Sequence, residues 1–115
     1  MENTKFDLEE RTLTYAKRVN ALVNNLPKTI TNLENGKQLA RSSGSVGANY
    51  IEANEAISRK DFIHRIKICR KEVKESRFWL NLITPKECDE QTRKELVAES
   101  LELMKIFGSI VVKVS

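Results

Sequence analysis

The chain has 115 residues, 40% hydrophobic and 31% charged, with only 4 Gly and 2 Pro. It is long enough to bury one core and too short for two, so residues 1–115 are expected to form one domain, and a disordered chain is excluded. The formal net charge is +4; no apolar run approaches a membrane span, and Met1 to Asp7 lacks the basic start and apolar core of a signal peptide, so a cytoplasmic protein without a membrane role is expected.

In chain order, Asp7 and Glu10 make a capping pair, and Leu8, Thr12, Tyr15, Val19, Leu22 and Leu26 follow in alternating steps of 4 and 3. That spacing predicts one helix with a single buried seam. Asn24-Asn25-Leu26-Pro27 ends it, because the residue before a proline is pushed out of the helical region. A second helix is predicted from Thr31 or Asn32 to about Ala56. It contains the stretch Gln38 to Glu55, where Gly44, Gly47, Ser42, Ser43, Ser45 and Asn49 are all poor helix-interior residues. Leu39, Val46, Tyr50 and Ile57 nevertheless keep an apolar row, and Ala40, Gly47 and Asn54 keep a seven-residue row of small side chains beside it. Small residues on that row let neighbouring backbones approach closely.

Ser58 is placed to cap a third helix, with Asp61 in its first turn. Phe62, Ile66, Cys69, Val73, Ser76, Leu80 and Ile83 then give the cleanest 4-3 series in the chain. Thr84-Pro85-Lys86-Glu87 combines a capping threonine with a first-turn proline, so a fourth helix begins there or near Asp89. Its seam is Leu96, Ser100, Leu103, Phe107, Ile110 and Val114. Four helices joined by short turns, without strand-like alternation, predict an all-α, antiparallel up-down-up-down four-helix bundle. Trp79, Ile63, Phe78, Val97, Leu101 and Met104 lie off the seams as surplus apolar surface, which predicts a homo-oligomer.

Residues 59–77 hold eight Lys/Arg against Asp61, Glu72 and Glu75, so the whole positive excess sits in the third helix. Lys60, His64, Lys67, Lys71 and Lys74 run along the face opposite its seam in steps of 4, 3, 4 and 3, with Arg70 and Arg77 at one margin and Arg65 at the other. This row contains no acid. It reads either as a solvated face or as a track for a phosphate backbone or an acidic protein. No exposed aromatic is interleaved within it, so stacking on unpaired bases is not evident from the row itself. A second set, Gln38, Arg41, Ser45, Asn49 and Glu52, forms a polar stripe on the second helix that Glu75 and Arg77 are placed to meet. One reading is a network that fixes helix register; the other is part of an interface or ligand site.

Other chemistries fail on residue type. GSVGAN lacks the lysine that a phosphate-binding loop needs after Gly47. Asp61-x-x-His64 resembles half of a carboxylate-bridged metal motif, but His64 is the only histidine, so no metal or other cofactor is expected. A serine or cysteine nucleophile has no histidine partner in a pocket, so no catalytic residue and no enzyme are expected. Cys69 and Cys88 are not spaced as a metal pair; Cys69 lies on the seam as a small core residue.

The residues from Arg41 to Leu80, RSSGSVGANYIEANEA followed by SRKDFIHRIKICRKEVKESRFWL, resemble the bacterial four-helix-bundle family of 23S ribosomal RNA intervening-sequence proteins. That family also includes accessory variability proteins of diversity-generating retroelements. Its pattern falls on Gln38, Arg41, Ser45, Val46, Asn49, Glu52, Lys60, Asp61, Phe62, Ile63 and Glu75. Gly47 and Ala53 depart from it, standing where many members have proline and glycine. The resemblance implies a homopentameric ring, in some members a positively charged surface that associates with RNA or a reverse transcriptase, and no established enzymatic activity.

Overall fold

In the computed structural model, residues 4–115 and the side chains from Leu8 onward are described. Four helices, α1 (Thr4–Asn24), α2 (Ile30–Asn54), α3 (Arg59–Leu82) and α4 (Glu90–Val114), follow one another, with a single 3-10 turn at Glu87–Asp89. A 25-residue helix is about 37 Å long, and the bundle measures 44 × 29 × 19 Å. Each helix packs on its neighbours in sequence, and α1 closes on α4. This is the antiparallel four-helix bundle that the spacing predicts.

The seams form the core. Leu8, Tyr15, Val19 and Leu22 of α1, Leu39, Val46 and Tyr50 of α2, Ile66, Cys69, Val73 and Leu80 of α3, and Leu96, Leu103 and Phe107 of α4 are all buried. The buried hydroxyls are satisfied locally. Ser76 Oγ donates to the Val73 carbonyl at 2.9 Å, which uses its one hydrogen, so the Tyr15 hydroxyl donates to Ser76 Oγ at 2.6 Å. Burial pushes the Tyr15 phenol up to about 12, and burial does the same to the Cys69 thiol.

The small-residue row faces α1. A Cβ at Gly47 would lie 3.0 Å from Thr12 Oγ1, and Asn54 Nδ2 donates to Glu9 Oε2 at 2.9 Å. Gly44 is different, with open space where its side chain would be. Close approach therefore explains Gly47 but not Gly44.

The helix ends show which local signals prevail. Thr29 caps α2 by accepting from the Asn32 amide, and Ser58 caps α3 by accepting from the Asp61 amide at 3.0 Å. Thr84 does not cap a helix. Its amide donates to Asn32 Oδ1 at 2.9 Å, and its carbonyl and that of Pro27 both accept from Asn32 Nδ2. Buried Asn32 thus ties the α1–α2 and α3–α4 connections together, and α4 starts at Glu90. Ile57, expected on the α2 seam, is 97% exposed because α2 stops at Asn54 and leaves it in the turn before Ser58. Phe62, Ile110 and Val114 are only partly buried, toward the ends of their helices. α1 is already helical at Thr4; the expected Asp7 cap falls on a side chain outside those described.

The surplus apolar set divides. Trp79, Val97 and Met104 pack on the edge of the core, Ile63 and Leu101 are half-buried, and Phe78 is 58% exposed. Leu13 and Ile51, which the off-seam argument did not select, are exposed and line an apolar groove of about 400 Å³ between α1 and α2 with Ala16, Gly44, Gly47 and Ala48.

Candidate functional site

α3 runs unbroken from Arg59 to Leu82 and carries the whole of the outer row. Lys60, His64, Lys67, Lys71 and Lys74 are exposed, as is Arg70 beside them. None of these five lysine and arginine cations (Lys60, Lys67, Arg70, Lys71, Lys74) forms an ion pair among the described residues. Arg70 lies over Gly108 of α4, where an added Cβ would come within 3.8 Å of its Nε. At the α3 N-terminus, Arg59, Lys60, His64 and Lys67 surround half-buried Ile63 in a shallow groove of about 390 Å³.

The two other arginines assigned to this surface behave differently. Arg65 is half-buried, and its NH1 donates to Asn49 Oδ1 at 3.1 Å, so it belongs to the α2–α3 contact. Arg77 is also half-buried, with Nε enclosed and no hydrogen-bond partner.

The polar stripe of α2 is brought together only in part. Arg41 reaches Glu75 at 2.7 Å and Glu72 at 3.2 Å, and the Trp79 indole N–H donates to the same Glu75 oxygen at 3.0 Å. The Trp79 hydrogen bond, Arg41 and the nearby Lys71 hold the Glu75 carboxyl below the usual carboxylate range. Asn49 ties itself to the Ser45 carbonyl and to Arg65. Gln38 and Glu52 are exposed and stand outside this network. Glu72 and Trp79 belong to it and were absent from the stripe; Glu72 lies three residues after Cys69 and four before Ser76, at the rim of the seam, and this spacing was the available signal.

The acids of α4 are engaged elsewhere, Glu90 with Arg93 of its own helix. Glu99 receives a two-bond grip from Arg11, at 2.7 and 2.9 Å, and Glu95 pairs with Arg18 at 2.7 Å. These pairs line a groove of about 660 Å³ between α1 and α4. Glu102 pairs with Lys105 of its own helix. No carboxylate of α4 neutralises the α3 row. Among the described residues no cluster of three His, Cys, Asp or Glu is disposed to hold a metal ion, and no helix is long and apolar enough to cross a membrane.

Comparison with known proteins agrees with the four-helix fold. No curated protein matches the chain. A crystal structure of a protein of unknown function from the S23 ribosomal protein family of Bacteroides thetaiotaomicron is 30% identical, with a TM-score of 0.81 over 95% of this chain and 98% of that one. The family model described as 23S rRNA-intervening sequence protein matches residues 4–109. With nearly the whole bundle matched in sequence and in fold, the chain belongs to the 23S rRNA-intervening sequence protein family.

Proposed function

We propose that this protein is a non-enzymatic, cytoplasmic, homo-oligomeric module that binds nucleic acid, RNA in the first place, through the outer row of α3. The observation that carries the reading is the set of exposed, unpaired cations Lys60, Lys67, Arg70, Lys71 and Lys74 on one helix face. A solvated helix face usually intersperses acids with its bases, and here the acids of α4 are turned to α1 or to Arg93 and Lys105 of their own helix. The family description, which names a ribosomal RNA insertion, points the same way. A reverse transcriptase is a second candidate partner, through the family resemblance alone.

Lysines act on phosphate as point charges, whereas reading bases calls for Arg, Asn or Gln placed for paired contacts. Binding is therefore backbone-directed and tolerant of sequence. The expected result of a salt titration with single-stranded RNA is a log–log slope near −3 per subunit for about four phosphates covered. Affinity that ignores salt, or sequence discrimination that survives at high salt, would overturn this mechanism.

The alternative, a structural or protein-interaction adaptor, is favoured by the apolar groove at Leu13 and Ile51. That groove serves equally as the contact between copies in an oligomer, a pentamer by the family resemblance, and so is compatible with the nucleic-acid reading.

A further inference from the structure

We infer that Phe78 is a stacking platform for an unpaired base at the C-terminal end of the α3 row, so that this surface takes single-stranded rather than duplex nucleic acid. The inference rests on the proposed nucleic-acid role of the row and assigns the class of strand it holds.

Phe78 lies in register with the cationic row. Phe78 follows Lys74 by one more step of four, continuing the series Lys60, His64, Lys67, Lys71 and Lys74. From Lys60 to Phe78 is 18 residues, about five turns at 3.6 residues each, so Phe78 returns to the direction of Lys60 roughly 27 Å along the helix. Phe78 is 58% exposed, and Leu82, one turn further, is 48% exposed. An isolated exposed apolar residue signifies little. This one stands in line with four lysines and His64.

The ring is also braced from behind. The Phe78 ring meets Trp79 edge-on, centroids 5.0 Å apart at 78°. Trp79 is pinned through its indole N–H to Glu75, and Glu75 through Arg41 to α2. The polar network thus supports the ring beside the solvent face of α3, and burial of Phe78 plays no part in it.

The chemistry of the two features then selects the ligand. A backbone laid along the lysines carries its bases past Phe78, and any base offers a π-face, which suits a sequence-tolerant site. In a duplex those faces are already stacked, so only an unpaired strand gains from the ring. An acidic peptide would use the lysines without requiring an aromatic in register with them.

The test compares wild type, Phe78→Ala and Phe78→Trp by fluorescence anisotropy on an oligouridylate of about 12 nucleotides, within the site sizes of single-strand binders, and on an RNA hairpin stem of equal charge. The sole tryptophan, Trp79, provides a second signal through its emission. Phe78→Ala is expected to weaken single-strand binding roughly 5- to 150-fold while leaving hairpin affinity and the salt slope unchanged; Phe78→Trp retains tight binding. Equal effects on both probes, or none, would overturn the inference while the nucleic-acid role of the lysines stands. So would a changed oligomer mass with single-strand preference intact, which would place Phe78 in a protein contact. If wild type binds neither probe, the proposed function fails and this inference with it.

Discussion

Replacing Lys67, Lys71 and Lys74 together with glutamate is expected to abolish nucleic-acid binding while leaving helix content and oligomer mass unchanged. All three side chains are exposed and make no ion pair among the described residues, so the bundle loses no contact that holds it together. The one local penalty is a new carboxylate near Glu75, which like-charge helix pairs put at about 0.3–0.5 kcal/mol. Binding loses three phosphate contacts of about four and acquires three repulsions. In the neutral variant, with glutamine at the same positions, the salt slope should fall from near −3 to about −0.7. Net charge alone has the same sign of effect, so the control is a triple reversal of the exposed Lys94, Lys105 and Lys113 of α4. Comparable loss in the two triples would show a diffuse electrostatic effect; unchanged affinity in the α3 triple would exclude this face as the site.

Alkaline pH should unfold the bundle earlier than surface titration accounts for. The Tyr15 phenol is raised from 10.0 to about 12, chiefly by burial, and the Cys69 thiol from 9.0 to about 12, also chiefly by burial. Both groups are therefore easier to ionise in the unfolded chain. Their contribution is complete below pH 9 and is lost as pH rises from 9 to 12, Cys69 first and Tyr15 from pH 10. At about 1.4 kcal/mol for each pH unit between folded and unfolded values, the loss is several kcal/mol, a large part of a domain's stability. Thermal unfolding followed by circular dichroism at pH 8 and pH 11.5 should show a much lower midpoint at the higher pH. The double variant Tyr15→Phe with Cys69→Ala separates this loss from other effects of alkaline pH. That variant starts less stable, having lost the bond to Ser76, but should decline less steeply; an equally steep decline would mean these groups do not drive the effect.

The core was legible because its signal is periodic and redundant. Five or six apolar positions on one face of α1, α3 and α4 agree with one another, and a single misplaced member such as Ile57 of the shorter α2 row does not disturb the rest. Ile57 was misread because a seven-residue row has no end of its own; the cap at Ser58 supplied the end, and the row was carried across it. Thr84 was misread for a related reason. Its capping geometry is a local preference, whereas Asn32 captures its amide and carbonyl from 52 residues away, and no window of sequence contains that pair. The α3 row was legible for the same reason as the seams. The polar network is half legible: Glu75 meets the α2 stripe as expected, at Arg41, but Arg77, placed with it, makes no ion pair there among the described residues, and Gln38 and Glu52 share the face of Arg41 but stand exposed. Phe78 was counted among the surplus apolar residues, which concealed that it also continues the cationic row.

The Asn32 tie makes the two ends of the bundle unequal in their freedom to breathe. At one end a single buried amide side chain binds both connections, so opening there requires α1, α2, α3 and α4 to part together. At the other end α2 and α3 are joined by a turn that carries the exposed Ile57, and the last turn of α4, from Ile110 to Val114, is at most half-buried. Native-state hydrogen exchange should therefore be graded along the long axis, with amides of α2 and α3 nearest Asn32 exchanging only through global unfolding and those at the far end through local fraying. Uniform protection from end to end would refute this. The exposed cations at the N-terminal end of α3, Lys60 and His64, lie on the side that breathes, whereas Lys74 and Phe78 are carried on the side that holds still, so a bound strand would find one rigid anchor and one compliant one.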